Sequence, residues 1–201
     1  MSEELSPEVK KARHPDYPIH SILLNRWSSR AMSGEEISDE ELMPLFEAAR
    51  WAPSSYNAQP WRFIYAKRNS AHWDRLFNLL LPGNQEWSTH ASVLILLISH
   101  KIFDHNQKPS ITHSFDAGAA WENLALEGLA RGLVVHGMQG FDYEKARIDC
   151  RVPDEYQVEA MIAVGKKGKE EDLPEALQKK EVPNQRKPLK ELICEGTFSL
   201  A

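Results

Sequence analysis

Apolar residues recur along this chain with two periods, and their alternation predicts a domain built from both helices and strands. Residues 38–50 place Leu42, Leu45 and Ala49 at helical spacing, on one face of a helix. Residues 93–98 are wholly apolar, as expected of a central strand that is covered on both faces. The same reasoning predicts further helices at residues 19–27, 72–81, 113–131 and 142–150, and further strands at residues 61–66, 133–136 and 155–164.

The predicted helix at residues 38–50 has a clear start signal and one disturbing residue. Ser38 followed by Glu41 fits a capping box, in which each side chain accepts a hydrogen bond from the other residue's backbone N–H. Pro44 lies late for a first-turn proline, because its ring and missing N–H are tolerated best at the very start of a helix. The helix is therefore expected to bend at Pro44 or to begin later.

Helix breakers and composition divide the chain into three parts. Residues 1–18 are charged and contain three prolines, which predicts a loose or peripheral N-terminal arm. Residues 19–168 form the main domain, in which a Pro-Gly pair is expected to leave residues 84–87 in a polar loop. Residues 169–201 form a charged C-terminal extension whose last apolar residues need a surface to bury against. A second subunit could provide that surface.

One stretch, residues 51–61, joins the predicted helix to the first strand and carries most of the candidate chemistry. Its two prolines, Pro53 and Pro60, restrict the backbone on either side, which predicts an ordered, extended loop. Between them lie short uncharged side chains with both donors and acceptors, which suit the edge of a planar heterocycle. Taken alone, the pattern fits an ordinary polar connection equally well. These side chains are Ser54, Ser55, Asn57 and Gln59.

Two further patterns are compatible with ligand binding. Arg26 and Arg30 flank two hydroxyl residues, and a pair of guanidinium groups can bind a phosphate dianion. The alternative is a solvated helix end whose cations interact with the helix dipole. Gly137 and Gly140 would let a backbone N–H approach a ligand closely, because neither has a side chain.

Composition and missing motifs exclude several classes of protein. A net charge of −5 argues against a broad nucleic-acid or anionic-membrane surface. Two cysteines without CxxC spacing, and histidines without paired ligand spacing, predict neither a disulfide framework nor a metal site. Serine-hydrolase, P-loop and Rossmann motifs are absent, and His113 could act as a base but has no partner in the sequence. Without an apolar run of about 20 residues or a signal peptide, a cytoplasmic protein is expected.

Four motifs then occur in order: Arg-Trp-Ser-Ser-Arg at residues 26–30, Ala-Pro-Ser-Ser-Tyr-Asn-Ala-Gln-Pro-Trp at 52–61, Gly-Met-Gln-Gly-Phe at 137–141, and Asn-Gln-Arg-Lys-Pro-Leu at 184–189. In this order they resemble the nitroreductase family of flavoenzymes. The resemblance implies an α+β protein with a three-layer α-β-α fold, a mixed central sheet and an intertwined homodimer. It also implies FMN as cofactor and hydride transfer from NAD(P)H to an electron-poor acceptor, such as a nitroaromatic or a quinone.

The resemblance implies that the first and last motifs bind the phosphate of FMN. Arg26, Ser28 and Arg30 would hold that phosphate, together with Arg186 from the C-terminal extension. Trp27 would contact the flavin through its backbone. It stands where a second basic residue or a histidine is common in the family, so its side chain departs from the pattern.

The resemblance also implies contacts with the flavin ring. Asn84 would contact the isoalloxazine edge, and Gln139 and Gly140 would lie near its reactive N5. Gln139 stands where the family often has glutamate, which removes a negative charge. The residues that would reach the flavin from the other subunit are Pro53, Ser54, Ser55 and Asn57, with Gln59 on the same polar rim.

This scheme requires no side-chain acid or base, so no catalytic residue is assigned. Two alternatives remain open at the level of sequence. One is a flavin-binding module or sensor without turnover. The other is a family relative that acts as a dehydrogenase or dehalogenase, although the short polar loop at residues 101–110 leaves little room for the extra lid segments that such relatives carry.

Overall fold

The computed structural model describes residues 4–199 of the chain. Helices and strands alternate along it, with three additional short 3₁₀ turns among the described residues. The helices are α1 (Pro7–Ala12), α2 (Ser21–Asn25), α3 (Asp39–Arg50), α4 (Trp73–Phe77), α5 (Pro82–Ser88), α6 (His113–Ala130), α7 (Tyr143–Asp149) and α8 (Glu175–Gln178). The strands are β1 (Trp61–Lys67), β2 (Val93–His100), β3 (Leu133–Met138) and β4 (Tyr156–Lys166).

The four strands form one sheet in the order β1-β2-β4-β3. Every pairing in it is antiparallel, so the expectation of a mixed sheet is wrong for the described residues of this chain. Because β2 and β3 are each antiparallel to β4, they run in the same direction. The crossover through α6 would ordinarily place two such strands side by side, but β4 lies between them and removes the parallel pairing.

Helices cover both faces of the sheet, which confirms the α+β class and the three-layer arrangement. Val93, Ile95 and Leu97 of β2 point to one face, where they pack with buried residues of α3 and α6. The alternate residues of β2 point to the opposite face and pack with α4, α5 and α7. Complete burial on both sides explains why the sequence of β2 is a continuous apolar run.

The start of α3 is the predicted one. Ser38 Oγ accepts a hydrogen bond from Glu41 N at 3.3 Å, and Glu41 Oε2 accepts one from Ser38 N at 2.8 Å. The capping box is therefore confirmed. The expectation of a later start is wrong, because α3 begins at Asp39 and continues through Pro44 to Arg50. The helix is stable although Pro44 has no N–H and cannot make a backbone hydrogen bond. The capping box satisfies the first backbone N–H groups, and the apolar face of the helix is buried.

The segment between β1 and β2 differs most from the sequence expectation. The helix predicted at residues 72–81 is only one turn, α4, and the polar loop predicted at residues 84–87 is part of α5. Pro82 does not act there as a breaker, because it occupies the first turn of α5, where no N–H is required. Trp87 anchors α5 in the core with 1% of its surface exposed.

Of the two expectations for the N-terminal arm, loose or peripheral, the loose one is wrong, because the arm packs on the main domain. Residues 7–12 form α1, whose Val9 is fully buried, and Arg13 follows with only 7% of its surface exposed. The helix predicted at residues 19–27 is shorter than expected, since α2 ends at Asn25. Arg13 donates hydrogen bonds to two carbonyl groups at that end of α2, which fixes the arm to the main domain.

The C-terminal extension packs along its own chain as far as residue 189. Leu173 and Glu181 are buried. Leu189 N donates to Asp16 Oδ2 at 2.7 Å, and the side chain of Gln185 donates to the carbonyl of His14 at 3.0 Å. Beyond this contact the apolar residues are exposed: Leu192, Ile193 and Phe198.

Two absences concern residues 4–199 only. None of the helices in that range is long and apolar enough to cross a membrane. Within the same range, no group of three or more His, Cys, Asp or Glu side chains is arranged to hold a metal ion.

Candidate functional site

The predicted site residues fall into two groups at one end of the sheet. Residues 26–30, residues 139–140 and Asn84 lie along the edge formed by β3, whereas residues 53–59 precede β1 at the opposite edge. Two strands separate β1 from β3, which corresponds to about 14 Å across the sheet.

Arg26 lies at the C-terminal end of α2, where it meets α6. Its Nε lies 3.3 Å from Glu122 Oε1, and its guanidinium carbon lies 5.8 Å from the centre of the Trp121 ring. The distance to Glu122 is that of an ion pair, but the buried Nε makes no hydrogen bond to any described residue. Glu122 therefore partly compensates the charge of Arg26 at this end of α2.

Arg30 has a partner that sequence reasoning missed. Glu181, from the C-terminal extension, is only 8% exposed and accepts hydrogen bonds from Arg30 N at 2.7 Å and Ala31 N at 2.9 Å. The Ser29 hydroxyl also donates to it. Arg30 Nη1 lies 3.9 Å from Glu181 Oε2, which lacks a hydrogen-bond partner among the described residues. The predicted phosphate ligand Arg30 thus already faces a buried carboxylate, and no motif in the charged extension singled out Glu181.

Arg186 and Arg26 both lie near a third arginine, Arg13. The pKa of Arg13 is lowered, first by burial and then by the positive charges of Arg186 and Arg26. Arg186 itself is exposed, and its Nη1 donates to Asn184 O at 3.4 Å. Two of the four predicted phosphate ligands are therefore brought to one place, next to a residue that the sequence analysis assigned to a loose or peripheral arm.

Asn84 and Gly140, which lie 56 residues apart in the sequence, are in direct contact. Asn84 Nδ2 donates to Gly140 O at 3.0 Å, and Trp87 Nε1 donates to Asn84 Oδ1 at 3.3 Å. A Cβ atom on Gly140 would lie 2.7 Å from Asn84 Nδ2, so a larger residue would displace the amide from its present position. The neighbouring Gln139 has an exposed side chain. The two segments predicted at the flavin ring are thus assembled by α5, because α5 presents Asn84 toward the residues that follow β3.

A buried histidine connects the two parts of this edge. His136, on β3, donates from Nδ1 to Ser29 O at 3.0 Å, and its ring lies 4.6 Å from that of Trp87. Burial lowers the pKa of His136; the bond to Ser29 and the charge of Glu181 oppose that shift, whereas the charge of Arg30 favours it. The carbonyl of Ser29 can only accept, which assigns the proton to Nδ1. Sequence reasoning missed this residue, because a lone histidine in a short strand carries no motif.

The loop at residues 51–61 is ordered but not extended throughout, so that part of the expectation is wrong. Residues 55–57 form a 3₁₀ turn, and Tyr56, Asn57 and Gln59 have left-handed backbone angles, with φ of 53°, 54° and 48°. Such angles are costly for a bulky residue such as tyrosine and persist only where the surroundings impose them. Here Ser54 Oγ accepts from Gln59 N at 3.0 Å.

The same loop is fixed to α6 and to the loop after β2. Asp116 in the first turn of α6 accepts a hydrogen bond from Ser55 N at 3.1 Å. Tyr56 packs edge-on against Phe103 with ring centres 5.6 Å apart. Asp116 was not identified from the sequence, although an acidic residue in the first turn of a helix is common. The loop is therefore held in one shape, with the Asn57 and Pro53 side chains exposed.

His113 has partners that the sequence did not reveal. Its Nδ1 lies 2.7 Å from Ser99 Oγ and 3.5 Å from Glu159 Oε1. Glu159 lies at an irregularity in the pairing of β2 with β4, where one residue of β4 has no opposite partner. The cluster joins the first turn of α6 to β2 and β4.

A cavity of about 530 Å³ lies between the N-terminal arm, α2 and the start of β3. Arg26 and Trp27 contribute to its wall, but Asn84, Gln139 and Gly140 do not. The cavity therefore lies on the arm side of residues 26–30 and not at the contact between Asn84 and Gly140.

Comparisons with known proteins identify the family of this chain. Residues 23–86 match the model of the Nitroreductase family. A putative NADH dehydrogenase/NAD(P)H nitroreductase from Polynucleobacter asymbioticus is 26% identical over 166 residues, which is 73% of this chain and 84% of that protein. A crystal structure described as an oxidoreductase containing FMN is 42% identical, with a TM-score of 0.89 over 94% of this chain and 97% of that one. The chain belongs to the nitroreductase family.

A second solved structure shares the fold at lower identity. It is a putative nitroreductase from Desulfovibrio desulfuricans in complex with FMN, 23% identical, with a TM-score of 0.70 over 98% of this chain and all of that one. The family model covers α3, β1 and α4 of this chain and parts of α2 and α5, but not residues 139–140 or Arg186.

The buried His136 predicts a pH dependence of the stability of this protein. Because its folded-state pKa lies below the unfolded value of about 6.5, the unfolded chain binds more protons between the two values. The contribution of His136 is thus complete above about pH 6.5 and is lost as the pH falls toward the folded-state pKa. Urea unfolding between about pH 7.5 and pH 5 should show a smaller loss of stability for His136→Gln than for the wild type.

The matched control is His90→Gln, because His90 is exposed. This control should lose stability on acidification as steeply as the wild type. An equally steep loss in His136→Gln would contradict the assignment of the effect to His136.

Proposed function

We propose that this nitroreductase-family protein binds FMN and transfers hydride from NAD(P)H to an electron-poor acceptor, such as a nitroaromatic or a quinone. The observation that carries the proposal is the contact between Asn84 and Gly140, at 3.0 Å, on the same sheet edge as Arg26 and Arg30. Residue types suited to a planar heterocycle and to a phosphate are thereby gathered along one edge of the protein.

The phosphate end of the proposed site has the chemistry of an anion site. Arg26 has a buried Nε without a hydrogen bond to any described residue, and Arg186 lies near the buried Arg13. Guanidinium groups that lie close together repel one another. A phosphate dianion would offset that repulsion through charge-assisted hydrogen bonds. Arg30 contributes its positive charge but shares it with Glu181, as Arg26 shares its charge with Glu122.

The ring end of the proposed site also fits FMN. The absence of a side chain at Gly140 lets the amide of Asn84 lie against its backbone, and an amide can both donate and accept hydrogen bonds. Gln139 adds a neutral amide with an exposed side chain. These groups suit the alternating donors and acceptors of an isoalloxazine edge.

Bound FMN would supply the hydride chemistry between NAD(P)H and the acceptor. The residues of this chain would bind the phosphate through Arg26 and Arg186 and orient the ring through Asn84 and Gly140. We assign no described side chain as an acid or base that transfers a proton to or from a reacting atom.

The test of the function is the visible spectrum of the purified protein before and after anaerobic addition of NADH or NADPH. We expect a yellow protein whose flavin absorption is lost on addition of one or both nucleotides and returns on addition of a quinone or nitroaromatic. A yellow protein that neither nucleotide bleaches would be a flavin-binding module without turnover. A colourless protein that does not take up FMN would contradict the proposal altogether.

The ring end is tested by Gly140→Ala. The added Cβ would lie 2.7 Å from Asn84 Nδ2 and should displace the amide. Loss of one hydrogen bond corresponds to about 0.5–1.5 kcal/mol, so FMN affinity should fall by roughly threefold to tenfold in a fluorescence titration.

The control for this substitution is Gly83→Ala in α5. A Cβ there meets no atom within 4 Å, so the alanine should leave FMN affinity unchanged. If Gly140→Ala binds FMN as well as Gly83→Ala does, Asn84 and Gly140 do not form the ring site.

We further propose that the active form is a homodimer in which residues 53–59 of one subunit complete the flavin site of the other. The loop lies at the opposite sheet edge from Gly140 in the same chain, yet it is rigid and its polar side chains reach the surface. Near it, Ile111 and Phe115 are 93% and 80% exposed, and a Cβ on Gly118 of α6 would meet open space. Exposed apolar residues next to a glycine, where another backbone can come close, are typical of a subunit interface.

The C-terminal extension allows the dimer to be tested without disturbing residues that pack in their own chain. Truncation after Leu189 keeps Glu181, Arg186 and the bond from Leu189 N to Asp16, but removes Leu192, Ile193 and Phe198. Burying such side chains contributes about 1.5–3 kcal/mol each. We expect the truncated protein to sediment as a monomer or aggregate and to bind FMN more weakly.

The control for the truncation is Lys190→Ala in the full-length chain, which changes an exposed polar residue of the same segment. It should remain a dimer with wild-type flavin content. A truncated protein that sediments as a yellow dimer would show that the last residues do not hold the subunits together.

A further inference from the structure

Arg13 is a buried arginine outside every motif that identifies the proposed site. It follows α1 in the N-terminal arm and is 7% exposed. Its guanidinium donates three hydrogen bonds: from Nη1 to Leu24 O at 2.6 Å and to Arg26 O at 2.7 Å, and from Nε to Asn184 O at 3.1 Å. All three acceptors are neutral backbone carbonyl groups. An arginine buried in this way acts as a structural connection between segments.

The three acceptors belong to the two segments that carry the proposed phosphate ligands. Leu24 and Arg26 are at the end of α2, where carbonyl groups lack partners within the helix and favour a cation. Asn184 lies two residues before Arg186 in the C-terminal extension. One guanidinium therefore fixes the main chain at Arg26 and the main chain next to Arg186, although these segments lie far apart in the sequence.

The electrostatic arrangement is unfavourable unless an anion is present. Arg26 and Arg186 both lie close enough to Arg13 to oppose its positive charge. Arg26 is partly compensated by Glu122, whereas the three bonds of Arg13 bring no negative charge. Like charges held together by backbone hydrogen bonds, on the edge where the phosphate is proposed, are the arrangement expected of a preformed phosphate site.

We propose that Arg13 is a positioning residue, which holds Arg26 and Arg186 at the separation that a flavin phosphate requires. It thereby sets the preference of the site for FMN over riboflavin. The inference rests on the proposed function, since it concerns the same cofactor. Arg13 acts through the backbone of both segments and does not itself need to touch the phosphate.

The test compares FMN with riboflavin, which lacks the phosphate, in fluorescence titrations of the full chain freed of flavin. Arg13→Lys keeps the charge but cannot make three bonds in the planar geometry of a guanidinium group. We expect its affinity for FMN to fall by about tenfold or more while its affinity for riboflavin stays within about twofold. The control is Arg131→Lys, since Arg131 is exposed and pairs with Glu127 one helical turn away. It should match the wild type with both ligands.

A second variant tests the same idea without altering Arg13. One glycine inserted between Gln185 and Arg186 leaves the bond to Asn184 in place but moves Arg186 away from the position that this bond fixes. The same selective loss of FMN affinity is expected. It keeps the inference testable if Arg13→Lys does not fold, because the insertion lies in an exposed segment.

The outcomes separate this inference from the proposed function. Equal losses of FMN and riboflavin affinity in Arg13→Lys and in the insertion variant would make Arg13 a general structural residue and overturn the inference alone. Unchanged FMN affinity in both variants would overturn it as well. A wild-type protein without affinity for FMN would overturn the proposed function, and the inference with it.

Discussion

The position of β4 between β2 and β3 is the constraint on which the candidate site depends. Because β2 and β3 run in the same direction, their carboxyl ends lie at one end of the sheet, about 10 Å apart with β4 between them. Helices cover both faces, so a ligand has access only to the ends and edges of the sheet. The segments that follow α2 and β3 occupy one such edge, and the segment that precedes β1 occupies the other.

Along the β3 edge, buried polar groups are satisfied chiefly by the backbone of residues 29–31. Glu181 accepts from this segment, while His136 donates to it, so a carboxylate and a neutral imidazole hold the same three residues from two sides. A buried polar group without partners would cost about 1–3 kcal/mol, which strongly disfavours other conformations of the segment. The stiffness of the proposed phosphate site thus arises from residues that are not themselves expected to bind phosphate.

The sequence was sufficient for the layers of the fold and insufficient for the contacts of the site. The apolar run of β2 and the capping box of α3 are local patterns, and the structure confirms both. Pro82 was misread because a proline can begin a helix as well as end one, and only the burial of Trp87 decides between these. Glu181 and Arg13 could not be recognised, because their partners are largely backbone groups and include residues more than 100 positions away.

The bond between Arg13 and Asn184 joins the two ends of the chain across 171 positions in the sequence. During synthesis the sheet and its helices can form while the last segment is still inside the ribosome, since β4 ends at Lys166. The arginine cluster cannot close until residue 186 has emerged. A polypeptide clipped between residues 166 and 184 would therefore keep all four strands of the sheet but lose the carbonyl group of Asn184 that Arg13 binds.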